Sequence, residues 1–169
     1  MGVVRLALWL AGGGNVMKTI MLAAAFVGGL AFGAQAETFT FTTNGTLSAS
    51  VMTPGPNGTM RVAAISNSKG STMYGTKSVP TDNNCAAWPS QPGDIFAVHG
   101  MCTYSDPTGT GYIRFGCNPG KAPTDDNCVG GIWGTGGAYK DRSGTLAWHD
   151  HVNPDGKTAT SVGAGQWGD

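Results

Sequence analysis

Leucine and glutamate are almost missing from residues 37–169, which contain two leucines, Leu47 and Leu146, and one glutamate, Glu37. Both are strong helix formers, so their scarcity excludes a helical domain. Lys and Arg are few: eight stand against ten Asp/Glu in the same stretch, a formal charge of −2. That leaves no basic footprint for nucleic acid or an anionic membrane surface. Several chemical signatures are also absent. There is no Cys-x-x-Cys pair and no Gly-x-Ser-x-Gly elbow, and the glycine-rich stretch at 134–145 has no Gly-Lys-Ser/Thr ending. Zinc ribbons, hydrolase nucleophiles and nucleotide cradles have nothing to start from, and no cofactor is implied.

What the stretch does contain is glycine (21) and threonine (18), with four Trp and four Cys. Threonine favours strands, and the aromatics argue for a packed core over disorder. Phe39 and Phe41 alternate with threonines, and Leu47, Ala49 and Val51 alternate with serines, which is the period of half-buried strands. Asn44-Gly45 between these runs reads as a tight turn, and Pro54-Gly55-Pro56-Asn57-Gly58 as a second. Further strands are expected near 59–66, 72–79, 95–104, 111–117, 145–152 and 157–167, the last two joined by a hairpin at Asn153-Pro154-Asp155-Gly156. Short strands at this spacing mean one all-β domain over residues 37–169. An antiparallel eight-stranded barrel is expected, with a β-sandwich as the alternative.

Ahead of this domain lies a leader. Lys18 supplies a positive start, Ile20 to Phe32 an apolar run, and Ala34-Gln35-Ala36 a small-x-small cleavage site. Thirteen apolar residues fall short of the roughly 20 that a bilayer span requires, so residues 17–36 are read as a cleaved signal peptide with no membrane span left after cleavage. Residues 1–16 are read as an upstream extension outside the translated protein. Gly12-Gly13-Gly14-Asn15 demands purine-rich codons just before Met17, where a bacterial ribosome-binding site would lie. The product is thus expected in the periplasm or outside the cell.

In that oxidising setting Cys85, Cys102, Cys117 and Cys128 read as two disulfides. Of the three pairings open to them, neighbour pairing is favoured, because Cys85–Cys102 and Cys117–Cys128 would each staple a loop-rich segment.

The stretch Gly134-Thr135-Gly136-Gly137-Ala138-Tyr139-Lys140-Asp141-Arg142-Ser143-Gly144-Thr145 resembles the glycine-rich segment of the allene oxide cyclase-like and dirigent-like eight-stranded barrels, and of small exported bacterial proteins. Gly144 to Trp148 and Val162 to Trp167 fit the closing strands of such a barrel. The resemblance implies a fold and no catalytic residue. Allene oxide cyclases are understood to use a buried glutamate, and Glu37 stands at the domain's start; Asn84 to Pro89 has no dirigent counterpart. Read physically, the glycines allow a sharp positive-φ turn from which Tyr139 folds back as an apolar plug with a polar tip.

Trp148-His149-Asp150-His151 is the one constellation with metal-ligand potential. His149 and His151 share a strand face and could form half of a Zn or Cu site. Leu146, Trp148 and Val152 occupy the opposite phase, which is read as the inner face, so the histidines are expected outside and without metal. His99, in phase with Ile95, Ala97 and Met101, is expected inside as a core residue. Asp125-Asp126-Asn127 lacks calcium-loop spacing and reads as a solvated turn. With one glutamate and no paired acid and base in view, a non-enzymatic role is expected. The barrel interior would bind a small apolar molecule, with Phe39, Phe41, His99, Tyr139 and Trp148 as candidate lining residues. A cyclase or isomerase and a surface-interaction protein are the alternatives.

Overall fold

Eight strands follow one another around a closed antiparallel barrel: β1 (Glu37–Pro54), β2 (Met60–Tyr74), β3 (Lys77–Pro89), β4 (Val98–Ser105), β5 (Gly109–Pro119), β6 (Asp125–Gly137), β7 (Ser143–Val152) and β8 (Thr158–Trp167). The computed structural model describes residues 36–54 and 60–168, and these contain no helix. The expected upstream extension and leader, up to residue 35, and the expected turn at 55–58 lie outside the described residues. β8 pairs with β1, so every strand has two neighbours and the sandwich alternative falls away.

The number of strands agrees with the sequence reading, and β5, β7 and β8 lie close to their expected ranges, but the other boundaries differ. Asn44-Gly45 is no turn. Asn44 pairs with Lys69 on one side and Thr160 on the other, and β1 runs straight through, with a bulge only between Leu47 and Ala49. Closure supplies ladder partners on both flanks, and these override a local turn preference. The expected strand at 72–79 instead contains the β2–β3 hairpin, where Gly75 takes a φ of 58°. β6 was not foreseen, because its aspartates and five glycines read locally as turn.

Cross-strand partners share a face, so the register fixes the inner wall. Phe41 faces Gly163, Phe39 faces Gly165 and Phe115 faces Gly100. In each pair the aromatic ring lies across the glycine of the neighbouring strand, against the wall and away from the axis. Each glycine is therefore a contact surface for a ring, and the centre of the barrel keeps free volume.

The disulfides Cys85–Cys102 and Cys117–Cys128 join directly opposed residues, with Cα–Cα distances of 4.0 and 4.1 Å. They clamp the β3–β4 and β5–β6 ladders from inside, and the segments they close contain the 90–97 and 120–124 connections. Each contributes on the order of 2–5 kcal/mol in a domain of this size.

One end of the barrel is sealed. Chain direction brings the 75–76, 106–108 and 138–142 turns to that end together with Glu37 and Trp167. Tyr139 folds back and stacks on Trp167, with ring centroids 4.8 Å apart and an interplanar angle of 9°. Trp167 is fully buried, and Arg142 lies over its ring while pairing with Glu37 at 2.9 Å. Asp106 organises the polar tips: it accepts from the hydroxyls of Tyr104 (2.6 Å) and Tyr139 (2.7 Å) and from the amides of Thr108 and Gly109. Tyr74 closes the chain, 3.1 Å from the Tyr139 hydroxyl and accepting from Trp167 Nε1 at 3.3 Å. Burial, reinforced by these hydrogen bonds, pushes the Tyr104 and Tyr139 phenols far above their ordinary range, so both stay protonated donors.

Candidate functional site

Beyond the plug the lumen holds a cavity of about 250 Å³ that extends toward the opposite rim, where Val98, Asp126, Val152 and Ala159 line it. Its two sides differ. Phe41, Phe115, Trp148, Leu146, Ile113 and the two disulfides make one apolar wall. Phe115 and Phe41 meet the Trp148 ring at centroid distances of 5.2 and 6.5 Å. The other wall is polar: Ser66, Ser68, Thr43, Thr72, Thr81 and Asn83 from β1 to β3, and Ser161 from β8.

Register threads a polar row through this wall. Asp126 pairs with Asp150, Asp150 with Ser161, Ser161 with Thr43, Thr43 with Gly70, and Gly70 with Thr81. Side chains opposed in this way stand about 5 Å apart at Cβ. Asp150 Oδ2 accepts from Trp148 Nε1 at 3.0 Å and lies 3.6 Å from Cys128 Sγ. Its Oδ1 is buried without a hydrogen-bond partner, as are Thr81 Oγ1 and Asn83 Oδ1. Three orphaned polar atoms thus border one cavity.

Burial raises the pKa of both carboxyls. Asp126 is raised further by Asp150 and Asp125, while Ser161, Trp148 and His149 partly offset the effect at Asp150. Asp126 and Asp150 are the charged side chains of the described cavity wall, with no Lys, Arg or His facing them there. The lumen is amphipathic and acidic, and the outward-facing His149 acts on its carboxyls through the wall.

Sequence reasoning missed this pair. Asp126 was read as part of a solvated turn, yet it opens β6 facing inward. Asp150 carried a usable signal, because it alternates in phase with Leu146, Trp148 and Val152. The absence of paired acids is therefore corrected: two carboxyls share the lumen.

Of the residues expected to line the cavity, Phe39, Phe41 and Trp148 do so, while Tyr139 belongs to the plug. His99 lies outside. The phase argument failed because Ile95 and Ala97 precede β4 in a loop, and the inward positions of that strand are Val98, Gly100, Cys102 and Tyr104. His99 Nε2 instead meets Asp94 at 2.8 Å, edge-on to Phe96. That hydrogen bond holds the exposed Asp94 carboxyl below its usual range.

His149 and His151 also face outward. Both meet Asp125, at 3.5 and 2.7 Å, and His149 Nδ1 lies 3.2 Å from Asn127. The His151 contact lowers the Asp125 pKa. The residues of metal-binding type that cluster most closely among those described are Cys117, Cys128 and Asp150, and the two sulfurs are already consumed in a disulfide.

A shallow groove also crosses the outer surface, with Trp88, Phe96 and His99 at one side and Ala147 and Ala164 in its floor. It is open to solvent and holds none of the orphaned polar atoms, so the lumen is the stronger site. No protein-family model, curated protein or solved structure matches the chain.

Proposed function

We propose that this chain is an exported binding protein of the allene oxide cyclase-like or dirigent-like kind, which takes up one small molecule in its barrel interior. The observation that carries the reading is the cavity of about 250 Å³ bordered by buried, unpartnered polar atoms. A barrel of eight strands is the size at which side chains either fill the interior or leave room for a single ligand. Rings whose tips rest on facing glycines favour room. Export is supported by the two disulfides, which belong to an oxidising compartment, and by the leader pattern at residues 17–36. Among the described residues no helix is long and apolar enough to cross a membrane.

The apolar ligand expected from sequence becomes an amphipathic one, since half the lumen wall is polar. Trp148 lines the cavity and should report occupancy. Titrating the protein with a small aromatic probe should change Trp emission saturably, at about one probe per chain. Linear, non-saturating changes would refute interior binding. N-terminal sequencing of the exported product should begin at Glu37.

A cyclase or isomerase is the second reading, favoured by the Asp126–Asp150 pair, because two inward carboxyls could relay a proton within a shaped cavity. It is distinguished by recovering the bound molecule: a binding protein returns it unchanged.

A further inference from the structure

We propose that the lumen selects a small amine, with its ammonium group between Asp126 and Asp150 and its apolar body against Phe41, Phe115 and Trp148. This inference rests on interior binding and names the chemical class of the ligand.

Charge is the first argument. The two carboxyls are register partners on adjacent strands, both inward, and no cation among the described lining residues opposes them. An anionic ligand would add negative charge beside the acid pair in a desolvated space. With a neutral ligand the pair must hold protons to avoid buried charge, whereas an ammonium supplies the compensating charge itself.

Hydrogen-bonding capacity is the second. Asp150 Oδ1 and Asn83 Oδ1 are acceptors only, and both are buried without partners. The Thr81 hydroxyl, on a residue 4% exposed, is unpartnered too and can accept as well as donate. Asp150 Oδ1 stands at the acid pair and calls for a donor-rich group, and an ammonium offers three hydrogens and no acceptor. Asn83 and Thr81 stand on β3, across the barrel from β7, where donors elsewhere on the ligand would meet them.

The third argument is the adjoining wall. Trp148 is bonded through Nε1 to Asp150, which fixes its ring beside the acid pair, and Phe115 stands edge-on to it. An ammonium near an indole face gains a cation–π contribution, and a single aromatic ring fits the apolar side. The cavity volume equals that of roughly eight waters at about 30 Å³ each, which limits the ligand to one ring or a short chain.

The test compares probes of one shape: phenethylamine, 2-phenylethanol and 3-phenylpropanoate, titrated calorimetrically into the purified protein at neutral pH. Phenethylamine should bind at least about tenfold tighter than the alcohol, the step expected for a hydrogen bond to a charged group, and the carboxylate weakest. Asp150→Asn, with its melting curve recorded as a folding control, should bring amine and alcohol within about threefold of each other. Equal affinity of the two probes for the unaltered protein would overturn amine selection and leave interior binding standing. Absence of binding by all three would overturn both. The probe comparison needs no variant, so a poorly folding Asp150→Asn would not blunt it.

Discussion

Gly163 stands directly across from Phe41, and a Cβ on Gly163 would sit 2.6 Å from the tip of the Phe41 ring and 2.5 Å from both the Ala147 carbonyl oxygen and Trp148 Cβ on β7. The aromatic uses the missing side chain as its seat. Gly163→Ala should push the ring toward the axis and into the cavity. Destabilisation of about 1–3 kcal/mol is expected from overpacking, with weaker binding of any lumen probe. Thermal unfolding and probe titration of the same sample would measure both. An unchanged melting curve would show that Phe41 and the neighbouring β7 strand both have space to yield.

The plug is held by polar tips as much as by stacking. Tyr139→Phe keeps the ring on Trp167 but removes the 2.7 Å bond to Asp106. A loss of about 1–2 kcal/mol is expected by denaturant titration. Asp106→Ala should cost more, because it strands the Tyr104 and Tyr139 hydroxyls and two backbone amides together. Equal effects would show that the tyrosine hydroxyls reach other partners.

The acid pair makes stability depend on pH. Folding raises the pKa of Asp126 and Asp150 above the ordinary carboxylate value of 3.8. Between that value and the raised one the folded chain binds more protons than the unfolded chain, so this contribution falls as pH rises. The exposed Asp94 and Asp155 and the half-buried Asp125 have lowered values and act in reverse, losing their contribution as pH drops below 3.8. Asp155 is lowered first by the Lys157 amide. The protein should therefore unfold at lower denaturant at pH 8 than at pH 5. Asp150→Asn should narrow that difference and stabilise the neutral-pH protein by on the order of 1 kcal/mol. A variant whose pH profile matched the unaltered protein would show that Asp150 carries no desolvation penalty.

The strand content was legible because it follows from local chemistry. Sparse Leu and Glu with abundant Thr and Gly rule out helix wherever the chain goes, and the alternation from Leu146 to Val152 marks an inward face without knowledge of the partner strand. The β7–β8 hairpin was legible for the same reason: Asp155-Gly156 suits a positive φ, and Gly156 has 64°. His99 could not be placed this way, since its phase was counted from Ile95 and Ala97, and only the start of β4 at Val98 decides which residues belong to the strand. Nor could Asp125-Asp126-Asn127, whose turn-like composition is outweighed by ladders to β5 and β7.

By itself, then, the sequence determined that this domain is all-β, that four cysteines suit an oxidising compartment, and that the 134–145 segment turns sharply with an aromatic to tuck back. These depend on backbone preference and residue chemistry, which act over a few neighbours. Tertiary structure alone decided register and closure. They laid Phe39, Phe41 and Phe115 on glycines far away in sequence, sealed one end around Asp106, and set Asp126 opposite Asp150 inside the lumen. Such pairings are fixed by which strand lies beside which, and a one-residue shift would turn every one of them outward.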